Sequence, residues 1–209
     1  VESIYSMDGD IAPLKELVEL KSTYNFELIV DEAHAGGVYG QKGAGLCVEL
    51  GIQDSIFARV LTFGKAWGNA GAVVLGSEAL RSYLINFARP FIYSTAPTPH
   101  HVLSLNTVMD FVGKADEQRK ALYDNIIYFK NLQTSEHWGD SHTAIQTFFV
   151  IGNEAVRAKA AKAQAAGFAV KPIVFPTVPK GKERIRITLT ANSSRTEMQK
   201  LIQTLESNA

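Results

Sequence analysis

The sequence has one cysteine, Cys47, in 209 residues. A single thiol excludes an intrachain disulfide framework and any multi-cysteine zinc site, and no metal is expected. It also fits a reducing compartment, so the cytoplasm is the expected location. Net charge is equally scarce. Lys and Arg number 21 and Asp and Glu number 21, which leaves no basic field to condense on a phosphate backbone. No apolar run approaches the roughly 20 residues of a bilayer-spanning helix, and no basic-then-apolar leader opens the chain. Nucleic acid and membrane are therefore not expected partners. Also lacking is the phosphate-cradling pattern G-x-x-x-x-G-K-[ST]: Gly64-Lys65 is followed by Ala66, without the hydroxyl that would ligate Mg²⁺.

Hydrophobic residues make up 46% of the chain, enough to bury a sizeable core. Residues 1–6 alternate apolar and polar side chains and read as a strand already under way, so further sequence is expected before Val1. A cap and proline at Asp10 to Pro13 start a helix expected to run to about Tyr24. Residues 26–31 form a short apolar run ending in polar residues, as expected of a buried parallel strand with chemistry at its C-terminal end. Gly36, Gly37, Gly40, Gly43 and Gly45 follow, suiting either a backbone wound around a ligand or a mobile surface loop.

Two further strands are expected over 56–63 and 70–75, bracketing Gly64-Lys65-Ala66-Trp67-Gly68. Three- and four-residue apolar spacing predicts helix from 97 to 132, broken near Gly113. Strands over 143–151, 170–175 and 184–190, a helix over 153–166 and a last amphipathic helix from Arg195 form a smaller α+β unit. The expected division is therefore 1–132 and 133–209.

Val30-Asp31-Glu32-Ala33-His34 admits two chemical readings. One is the DEAH box of a nucleotide-driven motor, which needs the absent phosphate loop. The other treats Asp31 and His34 as a pair facing one ring, with the carboxylate holding a proton on a pyridine nitrogen so that the ring stays an electron sink. Lys65, set between small residues, could form a Schiff base once deprotonated. A strand-end Asp that caps the next turn, and a solvated Lys, are the plain alternatives.

Four tracts, 2–10, 30–34, 62–65 and 87–95, resemble the α-oxoamine synthases in the same order. Those are fold-type I enzymes dependent on pyridoxal 5'-phosphate (PLP). The resemblance covers essentially the whole chain. It implies an α/β fold: part of the large domain of a PLP-dependent transferase of the aspartate aminotransferase type, followed by a small C-terminal α+β domain. It also implies that Lys65 binds PLP covalently and moves the substrate proton, Asp31 pairs with the pyridine nitrogen, and His34 contacts the phenolic oxygen. By the same resemblance Thr62 binds phosphate, Ser6 lines the pocket, and Ser94 and Thr95 reach the phosphate of a neighbouring subunit in a homodimer. Arg186, with Arg184 as the second candidate, is expected to clamp the amino-acid carboxylate. The implied reaction condenses an amino acid with an acyl thioester, with loss of carbon dioxide. Tracts 63–65 and 87–95 look most like the 8-amino-7-oxononanoate synthase branch, which uses L-alanine and a pimeloyl thioester in biotin synthesis. The 2-amino-3-ketobutyrate CoA ligase and serine palmitoyltransferase branches are the alternatives. The family's upstream glycine-rich stretch and ring-stacking residue have no counterpart in these 209 residues, so this length of chain is expected to be inactive alone.

Overall fold

Two groups of residues pack mainly within themselves in the computed structural model, which describes residues 1–207. The first unit comprises Val1–Ile4 and Ile11–Asp116; the second comprises Tyr5–Asp10 and Glu117–Ala209. The sequence division at 132 assigns the helix Asp116–Leu132 to the first part, whereas its packing groups it with the second.

In the first unit, β1 (Ile29–Asp31) runs parallel to β2 (Ala58–Thr62), with Asp31 opposite Val60. β3 (Ala72–Gly76) returns antiparallel on the other side of β2. Residues 1–6 do not form the expected strand. They contribute a parallel bridge, Glu2 to Asp31, and an antiparallel one, Ile4 to Ile11. That second bridge draws Ile11 into extended backbone, while the Asp10 carbonyl accepts from Tyr5 N–H, so Asp10 does not cap the first helix. Helix α1 (Leu14–Leu20) instead starts after Pro13 and ends before Tyr24 in tight turns, Ser22 N–H to Glu19 O and Thr23 N–H to Leu20 O. A turn from Phe26 N–H to Tyr24 O likewise shortens the strand expected from residue 26.

A single turn of helix, α2 (Leu46–Glu49), follows the glycine-rich loop. After β3, the chain forms two helices beyond those expected from the sequence, α3 (Glu78–Phe87) and α4 (Arg89–Ile92). Ser77 caps α3 by accepting from Leu80 N–H. In α3, Leu80, Tyr83, Leu84 and Phe87 follow helical spacing, with Leu80 and Leu84 half-buried and Tyr83 and Phe87 exposed, while Phe91 and Ile92 of α4 are exposed. Helix α5 (Pro99–Gly113) has Thr98 as its cap and a proline in its first turn, and it ends at Gly113 as the sequence predicts.

In the second unit, α6 (Asp116–Leu132), α7 (Asn153–Ala165) and α8 (Arg195–Glu206) accompany an antiparallel sheet, β4 (Ile145–Phe149), β5 (Lys171–Ile173) and β6 (Arg184–Thr188), in the order β4-β6-β5. Phe129, Phe148, Val156, Ile185, Ile187, Leu201 and Leu205 build its core. The Asn125 amide ties α6 to the carbonyls of Thr190, Ala191 and Ser193. Among the described residues no helix is long and apolar enough to cross a membrane, and no group of three or more His, Cys, Asp or Glu is placed to hold a metal ion.

Candidate active site

Parallel pairing puts the C-terminal ends of β1 and β2 at one edge of their sheet, and both ends carry residues singled out from the sequence. Asp31 closes β1. Its backbone is held on one side by Ser3 N–H and Val1 O, and its side chain accepts from Ala33 N–H at 2.8 Å, which starts the turn bearing His34. Ala35 and Gly36 N–H complete that turn by donating to Glu32 O. His34 is half-buried there. Thr62 closes β2, and its hydroxyl oxygen is buried without a hydrogen-bond partner. A lone buried hydroxyl costs stability unless something pairs with it.

Lys65 follows on the loop from β2 to β3 and is exposed. Three backbone bonds fix the loop: Phe63 N–H to Gly71 O, Asn69 N–H to Phe63 O, and Gly68 N–H to Lys65 O. The Trp67 indole packs edge-on against Phe63, with ring centroids 5.6 Å apart. It also fills the space that a side chain at Gly36 or Gly37 would occupy, since a Cβ on Gly36 would fall 3.2 Å from its indole nitrogen. The Lys65 loop and the turn after His34 are thus packed together. Asn69 further ties the loop to Ser104 of α5 at 2.9 Å. Ser94 and Thr95 follow α4 and are exposed; the Ser94 hydroxyl donates to Pro90 O.

Behind Asp31, Glu32 is fully buried. Its carboxylate accepts from Cys47 N–H at 2.8 Å and from Arg59 Nε at 2.5 Å, and Arg59 Nη2 donates to Ala44 O. The glycine-rich loop therefore winds around an internal ligand, this carboxylate. Gly45 has φ +107°, and a Cβ there would lie 2.6 Å from the carboxylate oxygen. The Cys47 thiol is pushed up to about 12 by burial, with the Glu32 charge adding to it, which makes it an inert core side chain. Neither Glu32 nor Arg59 stood out as functional from the sequence. The available signal was Arg59 itself, a lone charge within the apolar run 56–63 that requires a buried partner.

The second unit holds Ser6, Arg184 and Arg186. Ser6 lies in the turn closed by Gly9 N–H to Tyr5 O. Arg184 and Arg186 share one face of β6, opposite the core-facing Ile185 and Ile187. Their environments differ. Arg184 is buried and committed: it pairs with Asp8, donates from Nε to Lys182 O, and lies 4.8 Å over the Phe149 ring. Arg186 is half-buried between Thr147 and Lys171 of the flanking strands, and its Nε is buried without a partner. Burial draws both guanidinium groups below their ordinary range.

The arrangement, a strand-end carboxylate, a lone hydroxyl and an exposed lysine at one sheet edge, can be compared with known proteins. The 8-amino-7-oxononanoate synthase of Emericella nidulans is 38% identical over 216 residues, covering 98% of this chain and 52% of the relative. A solved structure of the 8-amino-7-oxononanoate synthase of Francisella tularensis superposes with a TM-score of 0.86 at 27% identity, covering 98% of this chain and 60% of that one. A structure of SPT with PLP gives a TM-score of 0.85 at 27% identity, with 98% and 52% covered. The chain spans about half the length of the curated relatives it matches. These likenesses leave no role for a DEAH-box motor, and a family match running from residue 1 to residue 205 places the chain in the aminotransferase class I and II family.

Proposed function

We propose that this chain is part of a PLP-dependent C-acyltransferase of the α-oxoamine synthase type, which joins an amino acid to an acyl thioester with loss of carbon dioxide. The observation that carries the reading is the common sheet edge: Asp31 and Thr62 end paired parallel strands beside the Lys65 loop, and the Thr62 hydroxyl lacks a partner among the described residues. The residues fit the cofactor. A phosphate oxygen would satisfy Thr62, and a pyridinium would answer Asp31, whose turn is already set by Ala33 N–H. Lys65 Nζ is reachable from solvent for covalent attachment.

PLP supplies an electron sink for the charge left at the substrate Cα. The chain's own groups do the rest. Asp31 keeps the ring nitrogen protonated, and His34 donates to the phenolic oxygen. Lys65 would hold the cofactor through Nζ, and its free amine would take up and return the substrate α-proton. Arg186 is the carboxylate clamp, because its Nε is unpartnered whereas Arg184 is already engaged by Asp8 and Lys182 O. Ser6 lines the same pocket. Ser94 and Thr95 reach the phosphate held by a second copy in a cytoplasmic homodimer. The large domain over 1–132 carries cofactor chemistry, and the small domain over 133–209 carries carboxylate recognition. L-alanine and a pimeloyl thioester, as in biotin synthesis, are the proposed substrates, supported by the 8-amino-7-oxononanoate synthase relatives. Glycine with acetyl-CoA, and serine with palmitoyl-CoA, are the competing pairs.

The test uses the protein extended to the length of its curated relatives. Amino acids and acyl thioesters are supplied in pairs with PLP, and thiol release is followed together with carbon dioxide. Fastest release with alanine and a pimeloyl thioester is the expected result. Turnover confined to glycine or serine moves the chain to another branch, and no turnover with any pair contradicts the proposal.

A further inference from the structure

We infer that the buried Glu32–Arg59 pair is a positioning device for the cofactor-facing residues Asp31, His34 and Lys65. The inference rests on the PLP reading above. Glu32 is tied in every direction. Its N–H donates to Val60 O on β2 at 2.8 Å, its carbonyl accepts from Ala35 and Gly36 in the turn that carries His34, and its carboxylate accepts from Cys47 N–H and Arg59 Nε. Arg59 sits on β2 opposite Val30, directly before the Asp31–Val60 pair, and its second nitrogen holds Ala44 O at 2.5 Å.

The carboxylate is therefore a fixed post around which the loop from Gly36 to Gly45 closes. Gly37 N–H donates to Gly43 O at 2.8 Å, and a Cβ on Gly43 would lie 2.9 Å from Gly37 Cα. Gly37 in turn backs onto Ala66 and Trp67 of the Lys65 loop. One continuous line of contact thus runs from the Glu32 carboxylate to Cys47, through Gly45 and Gly43 to Gly37, and on to the residues beside Lys65. The same residue is covalently next to Asp31. A buried ion pair is weak evidence for stability, since well-packed apolar residues of similar volume often serve as well. Geometry is a different matter: an error of about 1 Å in a reacting group can cost ~100-fold in rate.

The test separates fit from stability in the protein extended to the relatives' length. Glu32→Leu with Arg59→Met removes both charges and keeps the volume. Arg59→Lys keeps the charge but loses the fork that spans Glu32 and Ala44. Three quantities are read: the thermal midpoint without PLP, the PLP dissociation constant, and the pH at which the absorbance of bound PLP changes. The double variant is expected to unfold near the parent's midpoint, to bind PLP about tenfold more weakly, and to shift the absorbance transition upward by about one pH unit. The upward sign follows from Asp31: a ring nitrogen less firmly protonated carries less positive charge and depresses the attached imine nitrogen less. Arg59→Lys is expected to show a smaller shift in the same direction, and it decides the matter if the double variant does not fold. Variants that bind and titrate PLP as the parent does would overturn the inference alone. A parent without any PLP absorbance would overturn the cofactor reading and the inference with it.

Discussion

Within a chain that spans about half the length of its curated relatives, the two units bury their apolar side chains to different extents. In the second, α6, α7 and α8 bury Phe129, Val156, Ile185 and Leu205 to essentially zero exposure, and the core is continuous. In the first, every residue of β3 is exposed or half-buried, and Phe87, Phe91, Leu103 and Phe111 are each about two-thirds exposed. The first unit also carries most of the proposed chemistry: the lone Thr62 hydroxyl, exposed Lys65 and strand-end Asp31. Among the described residues, burial and the proposed chemistry are thus unevenly divided. The unit that closes its own core holds the arginine proposed to clamp the substrate carboxylate, and the unit with apolar surface open holds the proposed cofactor residues.

Dissection should expose this asymmetry most strongly. A fragment of residues 117–209 is expected to unfold cooperatively in denaturant with a fixed slope, whereas residues 1–116 are expected to bind a hydrophobic dye and lack a sharp transition. Equal cooperativity in the two would break the comparison. Next in size is Phe129→Ala, which opens the core of the second unit and should cost about 3–5 kcal/mol by chemical denaturation. Phe87→Ala in the first unit removes a side chain that is 64% exposed and should change stability by less than ~0.5 kcal/mol.

A smaller effect has a defined pH sign. Burial alone would raise the Glu206 carboxyl, but donation from Thr134 Oγ1 and N–H, Trp138 Nε1 and Ser135 N–H outweighs it, and the group lies below its ordinary value. Its contribution is present above the unfolded carboxylate value and is lost as pH falls through the lower folded value. Glu206→Gln should therefore cost ~1–2 kcal/mol near neutral pH, with the penalty shrinking in acid. Ser194→Ala removes the α8 cap bond to Glu197 N–H and should cost about 1 kcal/mol, measurable as a shift in the thermal midpoint.

How much of this could be read beforehand follows the same division. In the second unit, helix α7 is one residue shorter than its apolar period predicts, and α8 starts at the expected Arg195, because both bury an amphipathic face within their own unit. In the first, α3 was legible in the helical spacing of Leu80, Tyr83, Leu84 and Phe87 but was not among the expected helices, and α4 is a single turn too short to show a period. The strand expected over residues 1–6 reduced to two bridges, since alternation alone does not supply a partner edge. At the site, Asp31, Thr62 and Lys65 were legible as residues at strand ends and in loops. The closing of the glycine loop on Glu32 was not, because it depends on Arg59, 27 residues away in the chain. Nor could sequence separate Arg184 from Arg186, two residues apart on one strand face; the difference lies in Asp8, a partner far away in the chain.

The most direct test of the account is chemical. The protein, extended to the length of its curated relatives, is equilibrated with PLP, reduced with borohydride, digested and mapped. The account predicts one labelled peptide with the cofactor on Lys65 and no label in a Lys65→Ala variant. Label on another lysine, or none in the parent, would contradict it.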